Sequence, residues 1–460
     1  MLFTLFTILL LEGFITISVE ILTIRQLMPF YGNSVVITSI IIGFFLLFLA
    51  LGYWRGGMWR NQYFERLGRN YLLSMIWIGV GLSYSFIKLF SYSTMTSLSL
   101  SYLMSLTLYL ILVLAPIVYW LGQTIPITTN LFNQNQSVSK ISGSALFLST
   151  VGSFLGAMVT SLLLFQYVGV AWTVVINCIL LFALVLKLKA HGQFGWWTFL
   201  LFGVVMLLIK NLNVDAESQQ FKLTNNYGNY EIIADDKQAR ILKINESASS
   251  MITPDQKGFG YIEFIRNILF EKLALKNRQI LIIGAGGFSL TANGTHDNQV
   301  TYVDIDPAIK SIAEQYFLSG PIKGNFVGED IRLFLNQRPE KYDVIISDAY
   351  SNDVSIPPSL LTVEYFELLA NHLKPSGLIV LNIISNPLFK DDYSRRLNNT
   401  IFTVFPYCSI IPLNWDLHLS NVIYICPNNT REKGRYTDNL NSSTFDYFTS
   451  RQRANEQASP

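Results

Sequence analysis

The first 212 residues decide what kind of chain this is: they contain no aspartate, whereas aspartates are frequent from Asp215 onward. Their apolar residues fall in long runs separated by short polar stretches, and a helix needs roughly 20 such residues to cross a bilayer. Seven spans are read, at 2–28, 35–53, 71–92, 101–121, 145–167, 172–188 and 194–209. The first is not read as a cleaved leader, because its amino end lacks basic residues and Glu12, Glu20 and Arg25 interrupt it without a cleavage-like ending. The expectation is a multi-span α-helical membrane domain at 1–212, a multi-pass cell (inner) membrane location, and the lipid bilayer as a partner.

An ionisable residue deep in a span is costly and defaults to pairing or function. Glu20 is read chiefly as a packing or hydrogen-bonding residue, with Arg25, Gln123 or a neighbouring backbone group as candidate partners. Gly43, Gly52, Gly56, Gly57, Gly152 and Gly156 read as sites of close helix contact. No array of intramembrane acids, histidines or gating charges supports transport. Basic residues cluster in three places, Arg55 to Arg69, Lys140, and Lys187 with Lys189. The positive-inside rule assigns those loops to the cytoplasm and, with seven spans, puts the second half outside. Use of a cytosolic nucleoside requires the reverse, and a cytoplasmic second half is the expectation adopted.

The net charge of +2 is uninformative, and no nucleic-acid partner is expected. The three cysteines, Cys178, Cys408 and Cys426, have no paired spacing, so they read as ordinary buried thiols with neither a zinc motif nor a disulfide framework. After the boundary at 212–223, alternating residues at 230–234 and 241–245 around a polar turn read as a β-hairpin cap at 213–257. A helical face at 260–276 follows, and then strands and helices alternate: strands at 279–283, 300–305, 325–328, 342–347 and 378–383, with helices after the glycines and at 307–316, 331–336 and 362–373. Such interleaving implies a parallel sheet covered on both faces. The segments at 382–400 and 405–425 read as closing elements of the same domain, and the polar tail at 427–460 reads as disordered.

The strand at 279–283 runs into Gly284-Ala285-Gly286-Gly287, and the next strand brings Asp304 to the carboxyl edge. Ligands of open α/β sheets sit at that edge, with an acidic residue on the ribose hydroxyls. Ser289 stands where the dinucleotide fingerprint has its third glycine, so the run alone is a weak signal. Glu329, Asp330 and Asp348 fall at the ends of later strands and converge on the same crevice. A nucleoside-bearing cofactor is the reading. Trp415 and His418 lie in a later loop, where a histidine is more often structural.

The ordered set Gly284 to Gly287, Val303-Asp304-Ile305-Asp306, Gly328-Glu329-Asp330 and Tyr342 to Tyr350, with Tyr261-Ile262-Glu263 upstream, resembles the spermidine synthase (polyamine aminopropyltransferase) superfamily. That is a branch of the Rossmann-like methyltransferase-type fold, and a membrane-fused form of the family is similar to the whole chain. The resemblance implies a small-molecule amine acceptor and a donor that is decarboxylated S-adenosylmethionine or S-adenosylmethionine, with no metal. A second copy of the chain is kept open as a partner. It implies cofactor binding by Gly284, Ala285, Gly286, Asp304, Glu329 and Asp330, amine binding by Tyr261, Tyr350 and Asp353, and catalysis by Asp348. Asp304 would hold the ribose and Asp330 the adenine amino group. Three departures touch the amine side: Gly287 stands where the family has an acid, Ala349-Tyr350 replaces part of an acidic motif, and Ser249 stands in the place of a glutamine. A methyltransferase, and a transporter or polyamine sensor with a non-catalytic nucleoside-binding domain, are the alternatives.

Overall fold

A computed structural model describes residues 2–32, 34–132, 137–189, 195–235, 238–349 and 356–428. Among these, six helices are long and apolar enough to cross a membrane by length and composition: Phe3–Tyr31, Val35–Gly57, Tyr102–Thr129, Val138–Val168, Val170–Leu188 and Trp197–Gln220. A seventh candidate is bent. Instead of one straight run at 71–92, helices Tyr63–Gly81 and Tyr84–Ser97 meet at 64°. Ser83 is extended at the break and its hydroxyl caps the amide of Phe86. The carbonyls freed there find side-chain donors, Tyr109 Oη on Gly81 (2.7 Å) and Gln26 Nε2 on Leu82 (3.3 Å). Satisfied carbonyls are what make a break in an apolar helix tolerable.

Glycines set the closest helix contact. A β-carbon on Gly152 would stand 2.0 Å from Leu10 O, and one on Gly156 2.4 Å from Phe14 O. Gly43 and Gly57, expected to do the same, have nothing within 4 Å and need no such explanation. Neither side chain expected to partner Glu20 is bonded to it: Arg25 reaches Asn225 and Asn229, and Gln123 engages Trp59 and Tyr119.

The polar half begins with a four-stranded antiparallel sheet, β1 (Leu223–Thr224), β2 (Asn229–Ala234), β3 (Arg240–Ile244) and β4 (Ser247–Ile252). β5 (Gln279–Ile283), β6 (Gln299–Asp304), β7 (Asn325–Gly328), β8 (Tyr342–Ser347), β9 (Leu373–Ser385), β10 (Ser409–Pro412) and β11 (Ser420–Pro427) form a second sheet in the order β10-β11-β9-β8-β5-β6-β7. The five strands from β5 to β9 are parallel, and β11 and β10 close the edge antiparallel. Ile280, Leu281, Ile282 and Ile283 are buried because both faces of β5 are covered. The strand order reverses between β5 and β8, which places the switch-point crevice over the glycine turn.

Two further expectations are corrected in the polar half. No α-helix follows the glycines: Phe288 turns left-handed (φ 56°) and the chain continues in a single tight turn, Ser289–Thr291. Cys408 and Cys426 are a disulfide rather than separate thiols. The antiparallel pairing of Ser409 with Ile425 sets the two cysteines side by side, with the Cα atoms of Cys408 and Cys426 4.1 Å apart.

Gly152→Val is expected to lower the thermal midpoint of the detergent-purified chain by the equivalent of about 1–3 kcal/mol of overpacking. Gly143→Val, on the same helix with nothing within 4 Å, is the control and is expected to change it little.

Candidate functional site

The glycine turn is built by close approach. Gly284 (φ 87°) presses against the end of β8, where a β-carbon would lie 2.3 Å from Asp348 O. Gly286 (φ 48°) lies under β4, and a β-carbon would meet Ser250 Oγ at 2.7 Å. The amide of Gly287 donates to that hydroxyl (2.8 Å), so the cap is fastened to the turn. A β-carbon on Gly287 would point into the Phe317 ring at 2.3 Å. An acidic side chain there would meet the core and not the crevice, which gives the departure at Gly287 a packing reason.

A cavity of about 870 Å³ opens between cap and sheet edge. Its volume lies within the range of small-molecule sites. Gly284, Ala285, Gly286, Asp304, Glu329 and Asp330 line it, as do Tyr261 and Asp348. Asp304 accepts from the amides of Ala285 (2.9 Å, Oδ2) and Asp306 (3.0 Å, Oδ1). A carboxylate has about four acceptor positions, so two backbone amides leave capacity for ribose hydroxyls. Burial raises the Asp304 pKa above the usual carboxylate value, while these amides oppose the rise.

Asp330 Oδ1 caps the following helix through the amides of Arg332 (2.9 Å) and Leu333 (3.0 Å). That is an ordinary N-cap role, and it holds the carboxylate rigidly at the cavity wall. Glu329 is tied to Arg338 (2.8 Å), and its own amide donates to Asp304 O (2.8 Å).

Asp348 lies at the end of β8, opposite the interior of β9. The register Ser347 to Leu381 puts Asn382 beside it, and Asn382 Nδ2 donates to Asp348 Oδ1 (2.8 Å). The Tyr261 hydroxyl also bonds the carboxylate. Burial raises the Asp348 pKa, and those two donors act against it. The result is an oriented carboxylate suited to accepting a proton.

Tyr350 and Asp353, expected on the amine side, lie outside the described residues. Trp415 and His418 are not at the cavity wall, although their loop neighbours Asn414, Leu417 and Leu419 are. Asn382 is the site residue that sequence reasoning missed. It sits in a long apolar strand, where one asparagine was the available signal. No group of three or more metal-ligating residues occurs among the described residues.

Sheet order, glycine turn and edge carboxylates define a Rossmann-like domain of the methyltransferase type with a β cap. Residues 258–428 match the sequence model of the family described as "Spermine/spermidine synthase domain". A probable polyamine aminopropyl transferase of Bifidobacterium longum is 29% identical over 163 residues, 34% of this chain and 35% of that protein. A polyamine aminopropyltransferase of Vibrio vulnificus is 33% identical over 144 residues, 30% of this chain and 47% of that protein. The chain thus spans less than half the length of these two relatives. Among solved structures, a probable spermidine synthase from Corynebacterium glutamicum covers 46% of this chain, with 80% of its own length, at 21% identity and a TM-score of 0.38. The domain at 258–428 belongs to the spermidine synthase superfamily.

The raised pKa of Asp348 has a signed consequence. The stability owed to its neutral form is full below the usual carboxylate pKa and is lost as pH rises through the raised folded value. Asp348→Asn removes that loss. Its thermal midpoint relative to the wild type is therefore expected to increase from about pH 4 to about pH 7; an unchanged difference across that range contradicts the assignment.

Proposed function

We propose that the chain is a membrane-anchored aminopropyltransferase, passing the aminopropyl group of decarboxylated S-adenosylmethionine to a polyamine such as putrescine. The observation that carries this reading is the Asp348 carboxylate, bonded by Tyr261 and Asn382 and facing the same cavity as Asp304. Asp304 binds the ribose, Asp330 the adenine amino group, and the glycine turn passes beneath the nucleoside. Asp348 takes a proton from the ammonium of the acceptor. The freed nitrogen lone pair attacks the carbon next to the sulfonium, and the carbon–sulfur bond breaks with its electron pair going to sulfur. Methylthioadenosine leaves as a neutral thioether. Holding both reactants in line is itself a large part of such catalysis.

Purified full-length protein given decarboxylated S-adenosylmethionine and putrescine is expected to release methylthioadenosine. Asp348→Asn is expected to lower turnover by about 100-fold or more, the scale of a lost general base. S-adenosylhomocysteine formed from S-adenosylmethionine, with no reaction of the decarboxylated donor, would make the chain a methyltransferase instead.

A second reading, a nucleoside-binding sensor outside the cytoplasm, is favoured by two observations on orientation. The polar half docks at one end of the helix bundle, through Tyr84 to Glu246 (2.8 Å) and Asn226 to Ser161 (3.1 Å). The loops near Arg55 to Arg69, Lys140 and Lys187 lie at the other end, where Trp59 meets Gln123 (3.0 Å) and Lys187 stands over the Phe3 ring (5.0 Å). The positive-inside rule puts that basic end in the cytoplasm. The Cys408–Cys426 disulfide is likewise a feature of oxidising compartments. Intact cells carrying the chain with Cys178→Ser can be reduced and labelled with impermeant reagents. Labelling of Cys408, the partly exposed member of the pair, only after permeabilisation is the outcome expected of the enzyme reading, and its labelling in intact cells that of the sensor.

A further inference from the structure

The first apolar helix reaches the nucleoside site. Arg25, near its carboxyl end and 4% exposed, donates through Nε to Asn225 O (2.6 Å) and through Nη2 to Asn229 Oδ1 (2.7 Å). Both asparagines belong to the hairpin joining β1 to β2. Asn225 Oδ1 closes that hairpin on the amides of Tyr227 (2.8 Å) and Gly228 (3.1 Å), while Asn225 Nδ2 donates to Asp306 Oδ2 (2.7 Å). The Tyr230 hydroxyl donates to the same oxygen. The amide of Asp306 then donates to Asp304 Oδ1 (3.0 Å).

Arg25, Asn225 and Asp306 are all buried; Arg25 grips Asn225 by its main-chain carbonyl, and Asn225 reaches Asp306 by its side chain. In such surroundings a group that loses its partner is strongly penalised. Arg25 also supplies the positive charge facing two buried acids, Asp306 and Glu217. Its Nη1 is buried without an acceptor among the described residues, so two hydrogen bonds and this through-space attraction hold it. One turn further along the helix, Met28 joins Asn226 and Tyr227 in the cavity wall.

We infer that Arg25 is a positioning residue for the ribose-binding carboxylate Asp304, acting through Asn225 and Asp306, so that the nucleoside site is completed by the first apolar helix. This rests on the nucleoside reading given above. The reaction's specificity for its donor then depends on how the two halves of the chain are docked.

The test uses the full chain in detergent, with methylthioadenosine binding measured by calorimetry and steady-state kinetics measured alongside. Arg25→Gln is expected to weaken methylthioadenosine binding about tenfold or more and to raise the KM for the donor with a smaller change in kcat, because displacement of a positioning group is felt at the group it positions. Arg25→Lys keeps the charge and one donor and is expected to recover most of the loss. Wild-type binding that Arg25→Gln leaves within about twofold, or a loss in kcat alone with KM unchanged, would overturn the inference and leave the nucleoside reading standing. Wild-type protein that binds no methylthioadenosine would overturn both.

Discussion

The approach of Gly284 to the backbone of Asp348 is the constraint on which the site depends. β5 and β8 are neighbours at the point where strand order reverses, and a switch-point crevice opens outside their paired carboxyl ends, where the connections leave in opposite directions. The chain leaves β5 through a left-handed residue pressed against a carbonyl, a conformation and a clearance that only glycine supplies. The amide of Asp348 meanwhile donates to Ile283 O (2.9 Å). The glycine floor and the candidate base are thereby parts of one rigid sheet edge. Their spacing is set by strand register and not by a mobile loop, which suits the proposed transfer, in which a nucleophile and an electrophile are held in line.

Around that edge the acids divide by their partners. Asp304 is met by two backbone amides, Asp330 by a helix terminus, and Asp348 by a phenol and an amide side chain. Each is held by donors and, among the described residues, none by a direct ion pair, so each keeps a carboxylate oriented without neutralising it. Glu329 differs, because Arg338 engages its charge. The cap is fastened over them by Ser250, and the cap in turn by Arg25. A polar line therefore runs between the halves of the molecule, where apolar contact alone would hold them together without fixing their register.

The parallel strands were legible because burial on both faces makes each a short, unbroken apolar run, as in Ile280 to Ile283 and Val344 to Ile346. The edge acids followed from those strand ends. What escaped was set by pairing at long range. Asn382 faces Asp348 only through the β8–β9 register, and Cys408 meets Cys426 only through that of β10 and β11. On the sequence Arg25 stands as a neighbour of Glu20 on its own helix, yet its partners lie 200 and 204 positions away. The missing helix after the glycines has a local cause, the left-handed Phe288, which periodicity does not display.

The account stands on three carboxylates sharing one nucleoside. A structure of the full chain with methylthioadenosine bound tests this most directly. The account predicts ribose hydroxyls on Asp304, the adenine amino group on Asp330, and the thioether sulfur turned toward Asp348 and Tyr261. A nucleoside held elsewhere, or one lying in the cavity with its sulfur away from Asp348, would contradict it.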